Sequence, residues 1–371
     1  MCNTSTIVHR ITCAIRRDRD NNIPILLSEL GIQSVLMENG RAVRRRRQAR
    51  LFGLSGYTER LENSPVDLYQ FSVPASISES VIQQLADALH LNRPGRGTVY
   101  VQECKTFLTI TDEHVASLPD TGDHLLGLLH NLSVITCIMS TNGSGEELAK
   151  LALELGTGVP IVSLGLGAGL RERLGLLRIT VPAEKEVVRL LVPALDAEGV
   201  MRMLIEKGHL NRPGKGFIYC SPVRCGFLDT ALLVGQQQHA ATMAQVVAAI
   251  DELEKNTAWR RRFHELDSRA KFQLLAQHDE ITIVCREEVS GQYVEAAMKA
   301  GATAATTAHM QRVTFDKTTG GARERYTFIV NRSISGHVLD ALRQTCVKAE
   351  VQLDCLEVQP VNFAFAYRAE S

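Results

Sequence analysis

This chain is poor in the features that mark a protein for one chemistry. Aromatic residues make up 5% of its 371 residues, and tryptophan occurs once. A reader of single-stranded nucleic acid that stacks bases on a sheet needs exposed aromatics, and few are available here. The 41 Lys and Arg residues balance 41 Asp and Glu, so the formal net charge is zero. Nothing in that balance offers a polyanion an overall basic footprint, and no nucleic-acid partner is expected. There is no run of 18 or more apolar residues, so no membrane span is expected. The apolar run after Thr6 is broken by His9 and Arg10, and Arg16-Arg17-Asp18 follows. That pattern is unlike a signal peptide, which leads to an expected cytoplasmic location.

Catalytic signatures are also missing. The eleven histidines are dispersed, and no G-x-S-x-G, H-E-x-x-H or Walker-type phrase occurs. The nine cysteines form no C-x-x-C pair. Cys13, Cys137 and Cys285 sit in strand-like runs at one repeat position and read as small buried hydrophobes. No disulfide framework is expected in a reducing compartment. The expectation is a non-catalytic protein with no metal and no required cofactor.

What is present is a phrase said twice. Leu91-Asn92-Arg93-Pro94-Gly95-Arg96-Gly97 returns as Leu210-Asn211-Arg212-Pro213-Gly214-Lys215-Gly216, offset by 214 − 95 = 119 residues. Each copy leads into a strand-like run, Thr98-Val99-Tyr100-Val101 and Phe217-Ile218-Tyr219-Cys220. Glycines permit positive φ and close backbone approach. Successive amides of such a turn can point at phosphate oxygens, and Arg96 or Lys215 adds charge. The competing reading is a plain helix-to-strand turn with Pro and Gly chosen for geometry.

The repeat extends beyond the turns. Val73-Pro74 and Val192-Pro193 end strand candidates at equal distances from them: 97 − 74 = 23 and 216 − 193 = 23. A third copy ends its strand at Asn331, and 23 residues on stands Asp354, within Gln352-Leu353-Asp354, where the glycines were. Helical stretches end at Gly31, Gly156 and Gly301, as helices often do. The order in each unit is strand, helix, strand, loop, strand, helix, strand. That plan predicts an α+β fold of three tandem ferredoxin-like (βαββαβ) units. The expected boundaries are 1–110, a linker 111–130, 131–235, a helical linker 236–277, and 278–371.

One segment is strongly basic: Arg41, Arg44, Arg45, Arg46, Arg47 and Arg50. It reads as a solvated, mobile loop or as a docking loop for an acidic surface or phosphate. In the second unit Gly165-Leu166-Gly167-Ala168-Gly169 follows the second strand candidate.

Together these residues resemble the PII-like (nitrogen regulatory protein) signalling family. Gly165, Gly167 and Gly169 stand where that family opens its long T-loop, and Pro213-Gly214-Lys215-Gly216 is similar to its B-loop. The first unit shares the B-loop phrase and carries the long arginine-rich segment at its T-loop. The third keeps the strand order but lacks the B-loop glycines. The resemblance implies a fused, monomeric pseudo-trimer. Adenine nucleotide (ATP, ADP or AMP) would bind in clefts at Gly95, Arg96, Gly97, Gly165, Gly167, Gly169, Gly214, Lys215 and Gly216. The T-loops would control a target protein, an enzyme or a membrane transporter. A structural pseudo-trimeric scaffold without a small-molecule ligand is the alternative. A slow ATP-hydrolysing enzyme is a further one.

Overall fold

The computed structural model describes residues 5–19, 23–49, 57–108, 127–169, 184–234, 272–313, 321–349 and 353–367. The first third of the chain runs β1 (Thr6–Arg16), α1 (Ile23–Glu29), β2 (Val35–Ala49), β3 (Tyr57–Pro74), α2 (Ser78–Leu89) and β4 (Thr98–Thr106). The second runs β5 (Leu129–Met139), α3 (Ser144–Glu154), β6 (Ile161–Gly169), β7 (Glu184–Pro193), α4 (Ala197–Lys207) and β8 (Gly216–Phe227), with the short β9 (Leu233–Val234) after it. The last runs β10 (His278–Arg286), α5 (Ser290–Lys299), β11 (Ala304–Val313), β12 (Ala322–Asn331), α6 (Arg332–Ala349), β13 (Cys355–Val361) and β14 (Phe363–Ala366).

The expectation of three tandem ferredoxin-like α+β units in a PII-like pseudo-trimer is corrected by the strand pairing. All fourteen strands join one continuous sheet that closes as an antiparallel β-barrel with additional strands. Hydrogen bonds run from β4 through β8, β5, β7, β6, β11, β12, β10 and β13 back to β4. On the other edge of β4, β1 and β3 lead to β2, which pairs with both β6 and β11. Among the described residues, only β2 and β9 pair in parallel. The physical reason is the edge strand. An open four-stranded sheet leaves rows of unpaired N–H and C=O groups, and closure removes them. The chain covers its own edges, as where Val99 of β4 faces Phe227 of β8 and Glu357 of β13 faces Thr106.

Strand alternation then sorts the side chains. On β1, Ile11, Cys13 and Ile15 pack on a helix-covered face with Leu27, Val81, Ile82 and Leu85. Equivalent apolar clusters lie under α3 and α4 and under α5 and α6. The alternate residues of β1, Arg10 and Thr12, face the barrel interior with Thr136, Arg189, Glu280 and Arg325. Val134 also lines the interior, but charged and polar residues dominate it.

Candidate functional site

The two glycine turns share one backbone path. Each follows a left-handed histidine that ends a helix, His90 at φ 54° and His209 at φ 57°. Gly95 and Gly214 have φ of 81° and 70°, a conformation that suits glycine. Gly97 and Gly216 open strands that run close to a neighbour. A Cβ on Gly97 would lie 2.7 Å from the Ala14 carbonyl oxygen, and one on Gly216 2.3 Å from that of Ile138. The second glycine of each phrase is therefore required by strand packing.

The surroundings of the two turns differ. The Gly95 amide donates to Asp229 Oδ1 at 2.9 Å, and the Ala231 amide donates to the same oxygen at 2.9 Å. Arg44 donates to Asp229 Oδ2 at 2.6 Å, and both side chains are 3% exposed. Burial pushes the Arg44 guanidinium below its ordinary value, and Asp229 pulls in the opposite direction. Around Gly214, a Cβ would meet nothing within 4 Å among the described residues. Lys215 beside it is half-buried. The registers extend this contrast. β4 and β8 pair Val99 with Phe227, so Asp229 continues opposite Gly97. β14 and β8 pair Ala366 with Phe217, so Tyr367 continues opposite Gly216. Tyr367 is 40% exposed. In the third unit Asp354 takes the glycine position and pairs with Arg323 at 2.5 Å and Arg312 at 3.4 Å.

Of the remaining sequence candidates, Arg96 lies in the first turn and Arg44 reaches it through Asp229. Gly165, Gly167 and Gly169 are within β6, paired with β11. A Cβ on Gly165 would lie 2.8 Å from the Thr307 carbonyl oxygen, so that glycine allows two strands to meet. Arg96 is half-buried beside Gly95. The basic segment is not a loop up to residue 49: Arg41, Arg44, Arg45, Arg46 and Arg47 belong to β2, in a hairpin with β3. Arg41 pairs with Glu186 at 2.6 Å, Arg45 with Glu59 at 3.6 Å, and Arg46 with Glu62. Opposite charges across a hairpin stabilise the pairing modestly. Arg50 lies outside the described residues, as do residues 314–320 and most of both linkers.

The barrel interior is a second polar centre, one that the repeat did not reveal. Arg10 donates to Glu280 at 2.9 Å and to Gln102 at 3.2 Å, and it approaches Glu357 at 3.8 Å. Glu38 accepts from Arg325 at 2.7 Å and from Arg189 at 3.3 Å. The nearby arginines hold the Glu38 and Glu280 carboxyls below the ordinary carboxylate range against the opposing effect of burial. The cavity between them is about 50 Å³. At roughly 10–15 Å³ per water, that is room for a few water molecules, not a nucleotide. A signal for this centre was available in arginines inside apolar strand runs, as in Val187-Val188-Arg189-Leu190-Leu191. Repeat reasoning passed over it because equivalent positions differ. Gln70, Arg189 and Thr327 each stand four residues before Pro74, Pro193 and Asn331.

Among the described residues the cysteines form no disulfide, and each is buried or half-buried. Burial pushes the Cys220 and Cys225 thiols up to about 11, away from the thiolate a nucleophile needs. Glu287, His309 and Glu324 place ligand atoms within 4.8 Å of one another. Two of these are exposed, and the third already accepts from Tyr326 at 2.5 Å. Among the described residues no helix is long and apolar enough to cross a membrane.

No family model matches the chain, and no curated protein does. Among solved structures, a microcompartments protein from Desulfitobacterium hafniense DCB is similar at 12% identity. The match covers 62% of this chain and 94% of that one, with a TM-score of 0.17. Likeness at that level carries no argument about fold or function.

Proposed function

We propose that this chain is a non-catalytic regulatory protein that binds the phosphates of an adenine nucleotide at the second glycine turn, Gly214-Lys215-Gly216, and controls a partner protein. One observation carries the reading. Two turns have the same backbone, and the first already holds an oxyanion, the Asp229 carboxylate, on its Gly95 amide. The second has Gly214 open to solvent, with a cation next to it in the chain. Backbone amides of a glycine turn plus a lysine form a concavity suited to phosphate. Arg41, Arg44, Arg45 and Arg46 are engaged within the chain, so no contact with the partner is assigned to them.

The test is calorimetric titration of ATP, ADP and AMP into the full chain and into Lys215→Ala. Binding by the wild type, weakened about 10–150-fold in the variant, is the expected result for one lost charge-assisted contact. No binding by the wild type, or equal binding by both, overturns the reading and leaves the structural scaffold. The scaffold has support of its own, because the Asp229–Arg44 pair joins segments 185 residues apart. Product analysis in the same titrations separates binding from slow hydrolysis.

A further inference from the structure

We propose that the first glycine turn is an oxyanion site that the chain fills permanently with its own carboxylate, Asp229, leaving the second turn as the single phosphate site. The count of nucleotides rests on the function proposed above; the occupancy of the first turn by Asp229 does not.

Three donors converge on this one carboxylate. Two are backbone amides from separate segments, Gly95 and Ala231, both on Oδ1. The third is the Arg44 guanidinium on Oδ2. The set supplies two amide dipoles and one full positive charge, which is what a small oxyanion requires. Among the described residues, buried Arg44 Nε has no acceptor.

The backbone around Asp229 is anchored independently of its side chain. Its amide donates to Thr98 Oγ1 at 3.2 Å, and its carbonyl accepts from the Val159 amide at 3.0 Å. The Leu232 carbonyl accepts from the Arg45 amide at 2.8 Å, next to the β2–β9 pairing. With both flanks held, the backbone cannot carry the carboxylate away without breaking several of these bonds. A nucleotide phosphate therefore meets a filled site carrying like charge. Removing the side chain alone leaves the amides and the guanidinium in place around a space the size of a carboxylate. At the second turn the register brings Tyr367, a neutral side chain, to the place of Asp229.

The experiment is chemical rescue of Asp229→Ala. Thermal unfolding of the full chain is followed in sodium formate and in sodium chloride at equal ionic strength. Wild type should unfold at the same temperature in both salts. Asp229→Ala should unfold earlier in chloride and recover saturably in formate. A rise on the order of 2 °C is expected at ten times the dissociation constant. The double variant Arg44→Met/Asp229→Ala should lose the formate response. If Asp229→Ala does not fold in chloride, refolding it in formate against chloride gives the same readout. No greater gain from formate in Asp229→Ala than in wild type overturns the site, as does equal rescue of the double variant. Calorimetry with ATP should count one nucleotide per wild-type chain, and two would overturn the internal occupant. Absence of ATP binding overturns the function proposed above while formate rescue still decides the occupancy of the first turn.

Discussion

Arg325 and Glu38 meet at 2.7 Å inside the barrel, although 287 residues separate them along the chain. The same Glu38 oxygen accepts from Arg189, so one carboxylate ties together the three thirds of the molecule. Glu38 is 2% exposed. In such a place the Coulomb attraction has to offset the desolvation of all three ions.

Removing that carboxylate leaves two half-buried arginines without their shared counter-charge. Glu38→Ala is expected to destabilise the chain by about 3–5 kcal/mol, the range for breaking a buried pair. Glu38→Gln keeps hydrogen-bond acceptance and should lose less. Urea unfolding followed by circular dichroism checks both. Equal, small losses would mean that Glu38 is not what joins the sectors.

Acid should weaken the barrel. The Glu38 and Glu280 carboxyls have folded values below their unfolded value of 4.5. Groups of this kind contribute stability that is fully present above the unfolded value and lost as pH falls through the folded one. The melting temperature should therefore decline below about pH 4.5. His9, lowered chiefly by burial from 6.5, adds a shallower loss that begins below that value. A melting series from pH 8 to pH 3 reads both, and a flat profile would contradict the ionic account.

Gly165 and Gly214 should respond differently to alanine. At Gly165 the new methyl meets the Thr307 carbonyl oxygen at 2.8 Å. Overpacking of that sort costs about 1–3 kcal/mol, read as loss of stability. At Gly214 there is space, and the cost comes from φ of +70°, about 1–2 kcal/mol in the left-handed region. Nucleotide affinity should fall with Gly214→Ala and hold with Gly165→Ala wherever that variant is folded. Unfolding and titration of each variant make the comparison.

The cysteines should react slowly. Burial raises the Cys285 thiol to about 12 and those of Cys220 and Cys225 to about 11. Labelling with a thiol reagent at pH 7.5 should be fast only after unfolding, with Cys2 outside the described residues. Fast labelling of Cys220 in the native chain would show that β8 opens locally.

Local features were legible in the amino-acid order because short-range chemistry controls them. Proline, glycine and a left-handed histidine mark the turns at Gly95 and Gly214, and Gly31, Gly156 and Gly301 mark helix ends with positive φ. The arginine-rich segment reads locally as a loop but forms part of β2. A run of like charges looks solvated until its partners are known, and Asp229 and Glu186 lie far away in sequence. The charged interior was equally hidden. A charged residue in a strand is costly or stabilising according to what faces it across the barrel, and repeat position says nothing about that.

By itself the sequence determined the succession of strands and helices, the two matching turns and the apolar faces under the helices. These follow from backbone preferences and from apolar periodicity, which act over a few residues. Tertiary structure alone decided that the sheet closes on itself, that Arg10, Arg189 and Arg325 pair with acids inside, and that Asp229 fills the first turn. Each depends on strand edges and charges meeting across more than a hundred residues, where the need to satisfy buried polar groups selects the partner.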